Sequence, residues 1–378
     1  MQNNTKNVKW DIFCTVVDNY GDIGICWRLA RQLADEYDAE IRLWVDNLES
    51  FSHLCPLILT DADVQHLEGM EIRRWQTEFL AVEVADVVIE AFACELPPSY
   101  VEAMAKRKIA PIWINLEYLS AEDWVDDNHL LASPHANLPL KKHFFFPGFT
   151  PATGGLIRER DLLSVRSTFD ETTADKFLLC LGVPRRDENE IRVSLFCYDN
   201  SALPELLQEW ADGPNRVRVL VTPGVPTRQV SDWLGEKLVP GTEFCRNKLT
   251  VHSLPFLSHA GYDRLLWACD MNFVRGEDSF VRAQWAQRPF VWQIYPQTEN
   301  THLVKLKAFL TRYLHSFPES ETVQRFWHAW NGAGERGASW RDFVAIWPSL
   351  ELHTKVWVGQ LDRTRNLADN LVRFVRGK

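Results

Sequence analysis

The chain has little of what would mark it for a membrane, the cell exterior or a nucleic acid. No apolar run reaches the roughly 18 residues needed to cross a bilayer, and residues 1–10 are polar, without the apolar centre of a secretory signal. Basic residues are the minority: 41 Lys and Arg against 51 Asp and Glu give a formal net charge of −10. That balance argues against non-specific binding to nucleic acid or to an anionic membrane surface, both of which need a basic face. The cysteines, at 14, 26, 55, 94, 180, 197, 245 and 269, contain no CxxC pair, so no zinc or dithiol motif is present. Most lie in apolar stretches, where buried free thiols are common, and a reduced cytoplasm is the expected compartment. The 11 histidines never fall at HxH or HExxH spacing, and neither a P-loop nor a GxSxG elbow occurs. With 18 glycines and 19 prolines, collagen-like and disordered chains are excluded as well.

What is present is an ordinary apolar fraction, 46% of 378 residues. A chain of this length suggests two domains at about 150 residues each and buries a core without disulfide or metal. Short apolar runs alternate with helical patterns. Asp11–Val17, Ile41–Val45, Val84–Phe92 and Ile109–Leu116 read as strands; Cys26–Tyr37 and Ser99–Lys106 carry helical spacing. Residues 150–155 are small and polar, which suits a linker. The alternation restarts with strands at Phe177–Val183, Val193–Cys197, Val217–Val221, Leu249–Leu254, Met271–Val274 and Phe290–Ile294. Helices at Leu203–Trp210, Gln229–Leu238, Tyr262–Cys269 and Val281–Gln287 lie between or after them. Beyond Thr298 the pattern is helical and rich in tryptophan. The expected fold is therefore α/β, with two Rossmann-like domains at 1–150 and 156–350. Helices in 351–378 form a tail that can cross back to the first domain. GT-B glycosyltransferases and some epimerases share this architecture.

Two strand-to-helix turns carry more chemistry than folding requires. The first, Asp18-Asn19-Tyr20-Gly21-Asp22-Ile23-Gly24, sets two carboxylates around a glycine turn without the GxGxxG spacing of a dinucleotide site. Either aspartate can instead serve as a helix cap. The second runs Arg275-Gly276-Glu277-Asp278-Ser279-Phe280. Backbone N–H groups and Ser279 at a helix start can hold phosphate oxygens, or Asp278 or Ser279 can cap. Phe196, Tyr198, Phe256 and Tyr262 near strand ends can stack on a base or fill the core. Asn115–Tyr118 can line an acceptor cleft or form a charged surface loop. Asp61-Ala62-Asp63 matches the metal-holding D-x-D pattern but lies in an ordinary polar loop, as chance matches do, and no metal site is expected.

Taken together, DNYGDIG at 18–24 with Trp27-Arg28-Leu29-Ala30, NLEYLS at 115–120, RGEDSF at 275–280 and FFFPGF at 144–149 resemble the EarP family. That family comprises bacterial protein-arginine rhamnosyltransferases acting on translation elongation factor P. The resemblance covers nearly the whole chain. It implies a GT-B fold with an acceptor-binding first domain and a nucleotide-sugar-binding second domain. The implied reaction is inverting, metal-independent transfer of rhamnose from dTDP-β-L-rhamnose, the donor substrate, with no further cofactor. Carried over by position, Asp18, Asp22 and Glu277 are catalytic, with Asp22 at the place of the proposed base. Tyr20, Gly21, Phe196, Tyr198, Phe256, Tyr262, Arg275, Asp278 and Ser279 contact the donor. A monomer suffices, with elongation factor P as protein partner and neither nucleic acid nor membrane involved. The alternatives are a same-fold transferase or epimerase for small molecules, and a non-catalytic protein that binds the elongation factor.

Overall fold

The computed structural model describes residues 8–18, 20–76, 78–79, 81–334 and 339–378. The chain divides into two compact units, Met1–Arg160 with Arg363–Lys378, and Asp161–Asp362.

The first unit carries one eight-stranded sheet. Its strands are β1 (Lys9–Cys14), β2 (Glu40–Val45), β3 (Val64–Leu67), β4 (Met70–Arg74), β5 (Val87–Ala91), β6 (Ile112–Leu116), β7 (Ala132–Pro134) and β8 (Lys141–Phe145). Helices α1 (Gly21–Tyr37), α2 (Leu48–Leu54), α3 (Pro98–Lys106) and α4 (Trp124–Asn128) connect them. The spatial order is β3-β4-β2-β1-β5-β6-β8-β7, antiparallel only where β3 meets β4 and β7 meets β8. Its parallel strands follow the doubly wound order, so the switch point lies between β1 and β5. All five residues of β5 are buried, as expected of a strand covered on both faces. Phe13, Trp44, Tyr100 and Trp113 anchor the core beneath α3.

In the second unit, α5 (Leu162–Ser167) and α6 (Glu171–Cys180) precede a six-stranded sheet. The sheet comprises β9 (Glu190–Leu195), β10 (Arg216–Val221), β11 (Glu243–Arg246), β12 (Leu249–Ser253), β13 (Met271–Arg275) and β14 (Phe290–Gln293). Its order is β11-β12-β10-β9-β13-β14, parallel except for β11, with its switch point between β9 and β13. Helices α7 (Leu203–Asp212), α8 (Val225–Leu234), α9 (His259–Ala268) and α10 (Asp278–Trp285) pack around it. Four more follow: α11 (Thr301–Tyr313), α12 (Ser320–Trp330), α13 (Trp340–Ala345) and α14 (Trp347–Asp362). Trp327, Trp330, Trp340 and Trp357 are all buried. Trp327 stacks on Phe309 and packs edge-on against Phe290, so these tryptophans are core, each worth roughly 1.5–3 kcal/mol or more in burial.

Several sequence expectations need correction. Phe177–Val183 is not a strand: residues 171–180 are α6, started by Asp170, whose carboxylate accepts from the Thr173 amide at 2.8 Å. Only Ala174 and Leu178, one turn apart, are buried on it, whereas a short continuous apolar run does not by itself separate strand from helix. Helix α8 lies four residues earlier than its apolar spacing suggests, because Gly235 at φ 73° ends it with its N–H on the Ser231 carbonyl. Residues 150–155 are not a free linker. Gly154 sits against the Phe145 ring and the Phe146 carbonyl, and the chain leaves the first unit only at Arg160. It returns at Arg363, so the last helix, Leu367–Arg376, belongs to the first unit, and 351–362 is the end of α14 in the second. Among the described residues no helix is long and apolar enough to cross a membrane.

Candidate active site

Each unit places one of the singled-out turns at its switch point, on the carboxyl side of the sheet where ligands of open α/β folds bind. In the first unit the turn follows β1. Helix α1 begins at Gly21, five residues before its apolar stripe, so the Gly21–Gly24 stretch is itself the first helical turn. Ile23 and Ile25 are buried there, and this burial overrides the poor helix propensity of two glycines. A Cβ on Gly21 would lie 3.0 Å from Asp18 Oδ2; glycine lets that carboxylate fold over the turn.

Neither aspartate is the N-cap, which is Tyr20 and has no side-chain cap bond. Asp22, only 2% exposed, instead turns back to the loop. Its Oδ2 accepts from the amides of Val17 and Asp18, both at 2.8 Å. Its Oδ1 accepts from the Tyr118 hydroxyl at 3.1 Å. Asp18 is half-buried. Nearby, Asp46 accepts from the Val16 amide at 2.9 Å, and burial, with the Asp22 charge adding to it, pushes its carboxyl above the usual range. The Tyr118 ring stacks on Phe92, 4.4 Å between centroids and 17° between planes. Phe92 follows β5 and Tyr118 follows β6, so the aromatic pair stands at adjacent strand ends. Tyr118 fell within a segment read from the sequence as cleft or surface loop. Phe92, a lone aromatic at a strand end, has no local signature in the sequence.

In the second unit, Phe196 and Tyr198 follow β9 and Arg275 ends β13. The Arg275 guanidinium lies 4.6 Å from the Phe196 ring centre and 4.3 Å from that of Tyr198. Arg275 is 8% exposed, and among the described residues it is paired with no carboxylate. The two rings expected to stack on a base thus make cation–π contact with an arginine. Tyr198 is also fixed by its backbone, whose N–H donates to Gln293 Oε1 at 2.9 Å. Tyr262 packs edge-on against Phe196, and burial raises its phenol above the ordinary value. Phe256 is exposed.

Gly276, at φ 61°, turns the chain from β13 into α10, and its carbonyl accepts from the Trp292 indole at 2.7 Å. The capping expectation is corrected here too: Glu277 holds the N-cap position without a side-chain cap bond. The Ser279 hydroxyl accepts from the Arg275 amide at 3.0 Å and donates to the Arg275 carbonyl; it braces the turn. Asp278 accepts from Arg282 Nε at 2.7 Å, and Arg282 also binds Asp263 at 2.8 Å. This ion pair neutralises one member of the adjacent acid pair. Of the D-x-D match, Asp63 accepts from Gln76 and pairs with Arg74 at 3.6 Å, a surface structural role.

Two doubly wound units with a helical C-terminal end make up the GT-B architecture of glycosyltransferases. A solved structure of Acinetobacter baumannii MurG shares this fold at a TM-score of 0.52 and 11% identity, covering 98% of this chain and 100% of that one. The chain belongs to the EarP family: the model described as "Elongation-Factor P (EF-P) rhamnosyltransferase EarP" matches residues 10–376. A protein-arginine rhamnosyltransferase of Pseudomonas aeruginosa is 48% identical over 370 residues, 97% of this chain and 98% of that protein. A structure described as "Structural basis for EarP-mediated arginine glycosylation of translation elongation factor EF-P" matches at a TM-score of 0.71 and 34% identity, covering 98% of this chain and 100% of that one. The protein is an enzyme of the glycosyltransferase class.

Proposed function

We propose that this enzyme transfers L-rhamnose from dTDP-β-L-rhamnose to a side-chain nitrogen of one arginine of elongation factor P, with inversion and without a metal ion. The observation that carries the reading is the placement of charge: Asp18 and Asp22 at the switch point of one unit, and at that of the other Arg275, which pairs with no carboxylate among the described residues although Glu277 and Asp278 follow it. The first suits a cationic acceptor and the second an anionic donor. The names of the relatives support the sugar and the acceptor.

An arginine side chain has a pKa above 12 and a delocalised lone pair, which makes it a weak nucleophile at neutral pH. Asp18 holds the guanidinium and localises its charge through ionic hydrogen bonds. Asp22 receives the proton as nitrogen attacks the anomeric carbon. Inversion requires in-line attack opposite the leaving dTDP. The negative charge that develops on the diphosphate is met by Arg275 and by the backbone N–H groups at the start of α10. Glu277 offsets the oxocarbenium-like charge on the sugar. Asp278, held by Arg282, supports the loop, and Tyr20, Gly21, Phe256 and Tyr262 complete the donor contacts. The enzyme acts as a cytoplasmic monomer.

Incubation of the purified protein with dTDP-β-L-rhamnose and elongation factor P, followed by intact mass measurement, tests this. A gain of one deoxyhexose on the factor is expected. No gain, or a gain that persists when the target arginine is replaced by lysine, refutes it.

A further inference from the structure

The buried carboxylate of Asp22 poses a difficulty for direct proton transfer. It is 2% exposed, its Oδ2 is taken by two backbone N–H groups and its Oδ1 by a phenol. Among the described residues its side-chain hydrogen-bond partner is Tyr118, 38% exposed, with its hydroxyl 3.1 Å from Oδ1. The ring is held by design of the two strand ends: Phe92 stacks under it at 4.4 Å. Phe92 adopts φ 56°, a left-handed backbone that a bulky side chain rarely takes. Its N–H donates to the carbonyl of Leu116, two residues before Tyr118, at 2.7 Å. A strained aromatic residue kept at a switch point signals a constraint beyond folding.

We infer that Tyr118 is a catalytic proton relay between the attacking guanidinium nitrogen and Asp22, a role that rests on the arginine-transfer reading above. As the nitrogen bonds to the anomeric carbon and the bond to the diphosphate oxygen breaks, an N–H proton passes to the Tyr118 oxygen. The phenol proton passes to Asp22 Oδ1 in the same step, leaving a neutral phenol, a protonated carboxyl and dTDP carrying the electron pair. Asp18, less buried at the edge of the turn, grips the cation while Asp22 takes the proton.

Tyr118→Phe keeps the stack on Phe92 and removes only the hydroxyl. Loss of a positioned proton carrier is expected to lower kcat about a hundredfold, with the acceptor KM within about threefold and dTDP affinity unchanged; the melting midpoint drops, because buried Asp22 Oδ1 loses a hydrogen bond. In an Asp22→Asn background the same change should lower the residual rate no further. A kcat within threefold of the parent overturns the relay while leaving the transfer reading intact. So does a shifted acceptor KM at unchanged kcat, which would make Tyr118 a binding residue. A parent enzyme that transfers no rhamnose overturns both.

Discussion

Replacing Arg275 by methionine separates a ligand-binding arginine from a structural one. The guanidinium lies between two rings at 4.6 and 4.3 Å, and each such contact is worth about 0.5–2 kcal/mol. Against this stands the desolvation of a charge that is 8% exposed and lacks a carboxylate among the described residues, a penalty of several kcal/mol per ion. In the absence of ligand the two terms roughly cancel, so arginine adds little to folding. Methionine keeps the apolar stem against both rings and should leave the melting midpoint unchanged or raise it. With a diphosphate bound the balance changes, because ionic hydrogen bonds contribute about 1.5–3 kcal/mol. The dissociation constant of dTDP, measured by calorimetry, should therefore rise on the order of ten- to a hundredfold or more. If the methionine variant melts several degrees lower and binds dTDP like the parent, Arg275 is a packing residue and the charge argument fails.

Gly155→Ala should lower the melting midpoint sharply, since the residue sits at φ 75° and a Cβ would lie 2.2 Å from the Arg365 carbonyl; circular dichroism of the variant checks this, and a midpoint equal to the parent's would contradict it. Timed alkylation at pH 8 followed by mass spectrometry should label the exposed Cys180 and Cys245 first. Cys197, fully buried with its thiol pushed up to about 12 by burial, should stay unmodified until the protein unfolds. Burial lowers His129 to about 4, and its Nδ1 accepts from the Phe146 amide at 3.1 Å. The unfolded chain therefore binds the extra proton between about pH 6.5 and 4. Stability due to this group is complete above that window and falls as pH drops through it. His129→Gln should flatten that part of the melting-versus-pH curve.

The sequence by itself determined the α/β alternation, because a period of two or of 3.6 is written in neighbouring residues. It also located both chemistry-bearing turns, since glycines and acids between a strand and a helix are local features, and the family motifs sit on them. The helical, tryptophan-rich tail was legible for the same reason. Where a short apolar run fits strand and helix alike, as at 177–183, local reading failed and the Asp170 cap decided. The unit boundary was also non-local: Gly154 and Gly155 look like linker until Phe145 and Arg365 close on them. Only the tertiary structure set Arg275 between Phe196 and Tyr198, and Tyr118 on Asp22, 96 residues away. Such contacts arise because parallel strands distant in sequence end side by side at a switch point. Local pattern says which residues stand at those ends, and strand order alone says which of them meet.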